Sequence, residues 1–217
     1  MIVAMAFFME QLDSTIITTA VPDIAHSLAV TPVQMSLAVA AYVLAVAVFI
    51  PVSGWFADRF GTRRIFVLAL AVFTVGSALC GISQSFSMLV SMRILQGLGG
   101  AMMIPVGRLI LLRSFPRSEL MTAMTYMTLP AIIGPIIGPL LGGFLTTYLS
   151  WRWIFYVNLP FGLVGMLLAM RFVENFRELG VSRLDFRGFH MVLCALWLFP
   201  FGVENVSRPI VSNSIVA

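Results

Sequence analysis

No lysine occurs in this chain; all 13 basic residues are arginine, and charged residues make up only 10% of the 217. So little charge cannot keep a folded domain of this size in water. With 60% hydrophobic residues and a mean hydropathy of +1.01, the composition excludes an ordinary soluble domain and points to a polytopic membrane protein. Cysteine is also scarce. Cys80 and Cys194 both lie in apolar runs, which excludes a disulfide framework and a thiolate metal cluster. His26 and His190 show no partner spacing, so no metal site is expected. There is no Walker A loop, nucleophile elbow or HExxH. The sequence thus gives no support to an ATP-driven pump, a hydrolase or any other enzyme, and implies no cofactor. The opening MIVAMAFFMEQLD has no basic n-region and no cleavage site, so a cleaved signal peptide is not expected. A span beginning at Met1 suggests a short cytoplasmic tail ahead of it.

What is present is a series of apolar runs, each long enough to cross a bilayer at about 20 residues per span. Six are expected within residues 1–172: Met1–Val21, Gln34–Ala57, Ile65–Ile82, Phe86–Leu112, Met121–Leu149 and Trp153–Phe172. A charged linker follows over 173–187, then a shorter seventh run over 188–203. The polar tail over 204–217 reads as a truncated or frame-disrupted end. The expected fold is therefore all-α, a six-helix membrane bundle with one further span. Arginines orient it. Nine (Arg59, Arg63, Arg64, Arg113, Arg117, Arg171, Arg177, Arg183 and Arg187) follow even-numbered spans, and only Arg152 lies on the opposite side. By the positive-inside rule the amino terminus and those loops are cytoplasmic, which places the chain in a cytoplasmic (inner or plasma) membrane. The sequence pI of 9.7 therefore reflects topology, and no nucleic-acid partner is implied.

The densest pattern is LPAIIGPIIGPLLGGFL, residues 129–145. Gly134, Gly138 and Gly142 recur every four residues and share one helix face, with Gly143 beside them. Such a ridge lets a second helix backbone approach closely, the usual packing device in lipid. Pro135 and Pro139 each remove a helical hydrogen bond and should bend the segment. The pattern fits a purely structural kinked helix as well as a functional one.

Among the polar residues inside spans, four stand out. Asp13 lies nine residues before Pro22, roughly 13 Å down the first helix, near the midplane. An acid there must face a cavity or a partner, and it is placed for proton loading and unloading. Glu10 is one turn away on a different face and reads more readily as an acid near the interface. Arg93 should face the bundle interior and find an anionic or carbonyl partner, with Gln96 and Gly97 one turn further on the same side. Asp13 and Arg93 are at similar depths and could share a cavity; a purely structural ion pair fits equally. The turn GWFADRFGTRR, residues 54–64, has Gly54 and Gly61 for close packing and reversal, Asp58 for capping, and Arg59 and Arg63 for headgroups.

Taken together these segments resemble the major facilitator superfamily, specifically its fourteen-span drug/proton antiporter branch. Leu12-Asp13-Ser14-Thr15 through Pro22 is similar to the first-helix motif. Gly54, Asp58, Arg59, Gly61 and Arg63 are similar to the loop between helices two and three, with Thr62 in place of a usual arginine. Arg93, Gln96, Gly97 and Gly99 resemble the fourth-helix motif linked to proton coupling. The GPxxGPxxGG run resembles the fifth-helix antiporter motif, although Thr125 stands where its longer form begins with glycine. Trp151 to Phe155 with Asn158, Leu159, Pro160 and Gly162 resembles the fifth-to-sixth junction, and Asp185 with Gly188 the approach to an extra central helix.

The resemblance implies two three-helix repeats within residues 1–172 and alternating access around a midplane site. It implies proton-driven export of lipophilic, often cationic compounds. Asp13 would handle a proton or cation, Arg93 would modulate it, the glycine ridge would limit leakage, and Asp58 would latch to a second six-helix half. That half is lacking here, so self-association or a separately encoded half is the implied partner. A carrier for another solute and a non-transporting membrane interaction protein, or inert half-transporter, remain the alternatives.

Overall fold

Long apolar stretches favour helices in lipid, because each must satisfy its own backbone hydrogen bonds. The computed structural model describes residues 1–178 together with 188, 189, 191 and 194, and every element among them is α-helical. The linker beyond residue 178 and most of the expected seventh span and tail lie outside the described residues. The elements are α1 (Ile2–Ser27), α2 (Pro32–Phe60), α3 (Thr62–Gly81), α4 (Phe86–Ser114), α5 (Arg117–Tyr148), α6 (Trp153–Tyr156) and α7 (Asn158–Phe172).

Several boundaries differ from expectation, each for a local reason. The first helix does not stop before Pro22 but continues to Ser27. One lost hydrogen bond is outweighed by the further turn, which buries Ile24 and Ala25. Helix α2 begins earlier than expected, because Thr31 and Gln34 form a reciprocal capping box and Pro32 occupies the first turn. The charged stretch expected as a turn is mostly helical, and α2 and α3 are separated by Gly61 alone. Gly61 takes φ +100°, a conformation side chains disfavour, so the reversal needs only one residue. At α4 the Ser85 hydroxyl accepts from the Met88 N–H and fixes the start. The sixth span is interrupted at Val157 into α6 and α7, with Pro160 accommodated in the first turn of α7. Helix α5 contains Pro130, Pro135 and Pro139 yet runs unbroken over 32 residues.

Five segments are long and apolar enough to cross a membrane: α2, α3, α4, α5 and the combined Trp153–Phe172. Expected as a sixth, α1 is long enough but diluted by Glu10, Gln11, Asp13, Ser14 and four threonine or serine neighbours' worth of polarity along its length. It is shielded instead by packing, lying along α5 and also touching α7, α2, α4 and α6. Helix α4 is held between α2 and α3. Glycines set those spacings. Gly97 meets the Tyr42 carbonyl and Ala45 of α2, while Gly99 on the other side meets Phe73 and Ala69 of α3.

Two apolar clusters form the core. One contains Phe7, Met9, Phe66, Phe73, Met103 and Val106, near the arginine-rich end. The other contains Ile16, Ile17, Ala38, Leu89, Trp151 and Phe155. On α1 and α4 alike, the stretch between the clusters carries buried polar residues: Asp13 follows Met9, and Arg93 and Gln96 lie between Leu89 and Met103.

Candidate functional site: a buried charged node and its packing frame

A charge between two apolar clusters must be partnered or it is prohibitively expensive. Asp13 from α1 and Arg93 from α4 solve this together: Arg93 Nη1 lies 2.7 Å from Asp13 Oδ2, with the side chains 0% and 1% exposed. Arg93 Nη1 also donates to Gln96 Oε1 at 2.8 Å. Asp13 Oδ1 accepts from Gln96 Nε2 and from Asn158 Nδ2, each at 2.9 Å. Asn158 Nδ2 in turn reaches Ser77 Oγ at 3.0 Å, and that hydroxyl donates to the Phe155 carbonyl at 2.9 Å. The guanidinium lies over the Tyr42 ring, 4.3 Å from its centroid, and 5.8 Å from that of Phe155. Six helices thus contribute to one network through α1, α2, α3, α4, α6 and the start of α7.

The network is unevenly satisfied. Asp13 accepts three N–H bonds, but Arg93 Nε and Nη2, Asn158 Oδ1, Tyr42 Oη and Glu10 Oε2 are buried with no hydrogen-bond partner among the described residues. Cys80 approaches Gln96 Oε1 at 3.7 Å and is buried in the same region.

Of the residues singled out in the sequence, Asp13, Arg93 and Gln96 come together here. Gly97 does not join them; it faces α2 as a packing residue. Glu10 corrects the expectation of an acid near the interface: it is 6% exposed and lies one helical turn from Asp13. Asn158, Ser77, Tyr42 and Phe155 were not expected in the site. Ser77 and Asn158 are isolated polar residues in apolar runs, the same signal that marked Asp13, whereas nothing local to Tyr42 indicates its place under a guanidinium.

The glycine ridge faces α1 alongside this node. A side chain at Gly134 would meet Gln11 and the Leu12 backbone, and one at Gly138 would meet Thr15. At Gly142 it would meet Thr19 and the Ile16 carbonyl. Gly143 has open space and is not part of the contact. Pro135 and Pro139 lie within the same stretch of α5.

The loop residues form a second, more exposed group at the arginine-rich end. Asp58 Oδ1 accepts from Arg113 Nη2 at 2.9 Å, and the same nitrogen contacts Glu178 Oε1 at 2.6 Å. The Glu178 N–H donates to the Asp58 carbonyl at 3.1 Å. Thr62, fully buried, donates its N–H to the Phe176 carbonyl at 2.9 Å and accepts the Phe176 N–H on Oγ1 at 3.2 Å. A side chain on Gly61 would collide with Asn175. The chain leaving α7 is therefore clipped onto the junction of α2 and α3. Arg59 stacks 6.0 Å from Trp55, Arg63 is half-buried at the start of α3, and Gly54 has open space around it.

Comparison with known proteins agrees with this architecture. Two solved structures share the fold: a proton:xylose symporter XylE bound to 6-bromo-6-deoxy-D-glucose (TM-score 0.71, 13% identity, 78% of this chain and 43% of that one), and a POT family transporter in complex with 5-aminolevulinic acid (TM-score 0.72, 14% identity, 99% and 48%). Among curated proteins, the multidrug resistance protein MdtD of Salmonella paratyphi B is 49% identical over 204 residues, covering 94% of this chain and 43% of the relative. That of Serratia proteamaculans is 48% identical over 188 residues, covering 87% and 39%. The chain thus spans less than half the length of these relatives. The sequence profile of the Major Facilitator Superfamily matches residues 3–204, and the chain belongs to that superfamily.

Proposed function

We propose that this chain contributes the six-helix bundle of a proton-coupled exporter of lipophilic, often cationic compounds that works by alternating access. The observation that carries the reading is the buried Asp13–Arg93–Gln96–Asn158 network, which joins α1, α4 and α7 between two apolar clusters. A charged pair so placed is costly as a mere stabiliser, because well-packed apolar residues would serve as well. It becomes useful when a proton on Asp13 frees Arg93 and lets the helices rearrange. The relatives' name, multidrug resistance protein, supports export of drugs as the direction and cargo.

The glycine ridge against α1 supports a tight seam beside the node. The close pairings of α1 with α5 and of α4 with α2 are what two inverted three-helix repeats within residues 1–172 would produce. The bundle sits in the cytoplasmic membrane with the arginine-rich end inside, and Asp58 latches that end. The 173–187 linker and the 188–203 span would lead on to a partner bundle. No bond-making chemistry, metal or cofactor enters this reading, and the partners are the small substrate, protons and lipid.

The second reading is a membrane interaction protein that does not transport by itself, in which the buried Asp13–Arg93 pair is purely structural. One experiment separates them. Efflux of a fluorescent lipophilic cation is followed in an efflux-deficient host carrying this chain alone, or this chain with the remaining length of an MdtD-type partner. Export abolished by an uncoupler in either case supports the exporter. A second copy suffices if the chain alone exports. No dye movement in both sinks the drug reading.

A further inference from the structure

We propose that Glu10 is a second carboxyl of the coupling site, storing the proton that Asp13 receives. The inference rests on the proton-coupled reading above but goes beyond it, because the family resemblance points to Asp13 alone.

The two acids have opposite surroundings. Asp13 accepts from Arg93, Gln96 and Asn158 and is ion-paired with Arg93. Glu10 is also buried, at 6% exposure against 1% for Asp13, has an unpartnered Oε2, and forms no ion pair among the described residues. A carboxylate sealed without a cation is far costlier than the neutral acid. The groups around Glu10 do not change this. Asp13 on its own helix repels a second negative charge. Tyr42 on α2 carries no cation and lies with its ring against the Arg93 guanidinium, and Arg93 on α4 is already committed to Asp13. Helix α5 carries no ionisable residue between Tyr126 and Tyr148, α6 carries only Tyr156, and α7 none before Arg171.

The node thus holds two carboxyls, one proton and one guanidinium, with a net charge of zero. Residues three apart on a helix are neighbours, about 5–6 Å between Cβ atoms, within reach of one intervening water. In the handover the Glu10 O–H bond breaks and an O–H bond forms at Asp13 Oδ2, the oxygen that holds Arg93. Asp13 becomes neutral, Arg93 is released, and the new Glu10 carboxylate is the anion left for it. Proton number and total charge are unchanged.

The test uses the full chain in lipid nanodiscs and infrared spectroscopy at neutral pH. The expected result is a protonated-carboxyl C=O band that shifts when glutamate is isotopically labelled at its carboxyl carbon, ignores the same label in aspartate, and vanishes in Glu10→Gln. A band that follows the aspartate label, a band that persists in Glu10→Gln, or no such band overturns the proposal. The labelling arm needs no mutation, so it decides even if Glu10→Gln does not fold. The readout is independent of drug export, so a failure of the export reading and a failure of this one are told apart.

Discussion

At the scale of single residues, the node is asymmetric, and its mutants should be too. Asp13→Asn strips Arg93 of its carboxylate while leaving the guanidinium 0% exposed, with Nε and Nη2 already unpartnered among the described residues. Breaking such a pair from one side costs about 3–5 kcal/mol. Arg93→Gln leaves Asp13 with two N–H donors, from Gln96 and Asn158, so it should cost less. The Asp13→Asn, Arg93→Gln double variant should recover part of the loss, giving a coupling on the order of 1–3 kcal/mol in a double-mutant cycle. Unfolding of the purified chain in mixed micelles measures all three, and equal losses for the two single variants would contradict the asymmetry. Much of this site was legible beforehand. A charge inside an apolar run is expensive wherever it folds, so Asp13, Arg93 and Gln96 announce themselves. Glu10 was misplaced because a difference of three residues along a helix says which faces are close, but not how far the burying neighbours extend around it.

At the scale of elements, the ridge separates glycines that look alike in sequence. Gly142 and Gly143 are adjacent, yet a methyl group on Gly142 would meet Thr19 and lie 2.8 Å from the Ile16 carbonyl, while one on Gly143 meets nothing within 4 Å. Gly142→Ala should therefore push α1 from α5 and destabilise the chain by about 1–3 kcal/mol, as overpacking does. Gly143→Ala should be neutral or stabilising by up to about 1 kcal/mol. Thermal unfolding of the two variants side by side checks this, and a reversed order would remove α1 as the ridge's partner. The period of four made the ridge visible; which helix fills it depends on tertiary packing. Helix boundaries were less legible for a similar reason. Capping at Thr31 starts α2 early, and the single-residue reversal at Gly61 overrides the polar composition that suggested a longer turn between α2 and α3.

At the scale of the whole molecule, the arginine asymmetry predicts orientation. In a background with Cys80 and Cys194 replaced, Arg64→Cys should react with a membrane-impermeant maleimide only from the cytoplasmic side. Gln84→Cys, exposed between α3 and α4, should react only from the outside; the opposite pattern would invert the proposed topology. The spacing of Glu10 and Asp13 along α1 also has an electrical consequence. Three residues rise roughly 4.5 Å along the helix, against a hydrocarbon core of about 30 Å. Carrying one charge across the full membrane is worth about 2.3 kcal/mol per 100 mV, so the handover between the two acids feels only about 0.3 kcal/mol of it. That step is nearly blind to voltage. Its occupancy should follow the proton concentration on the side to which the node is open, and in sealed proteoliposomes collapsing the membrane potential at constant pH should leave the infrared band of Glu10 unchanged.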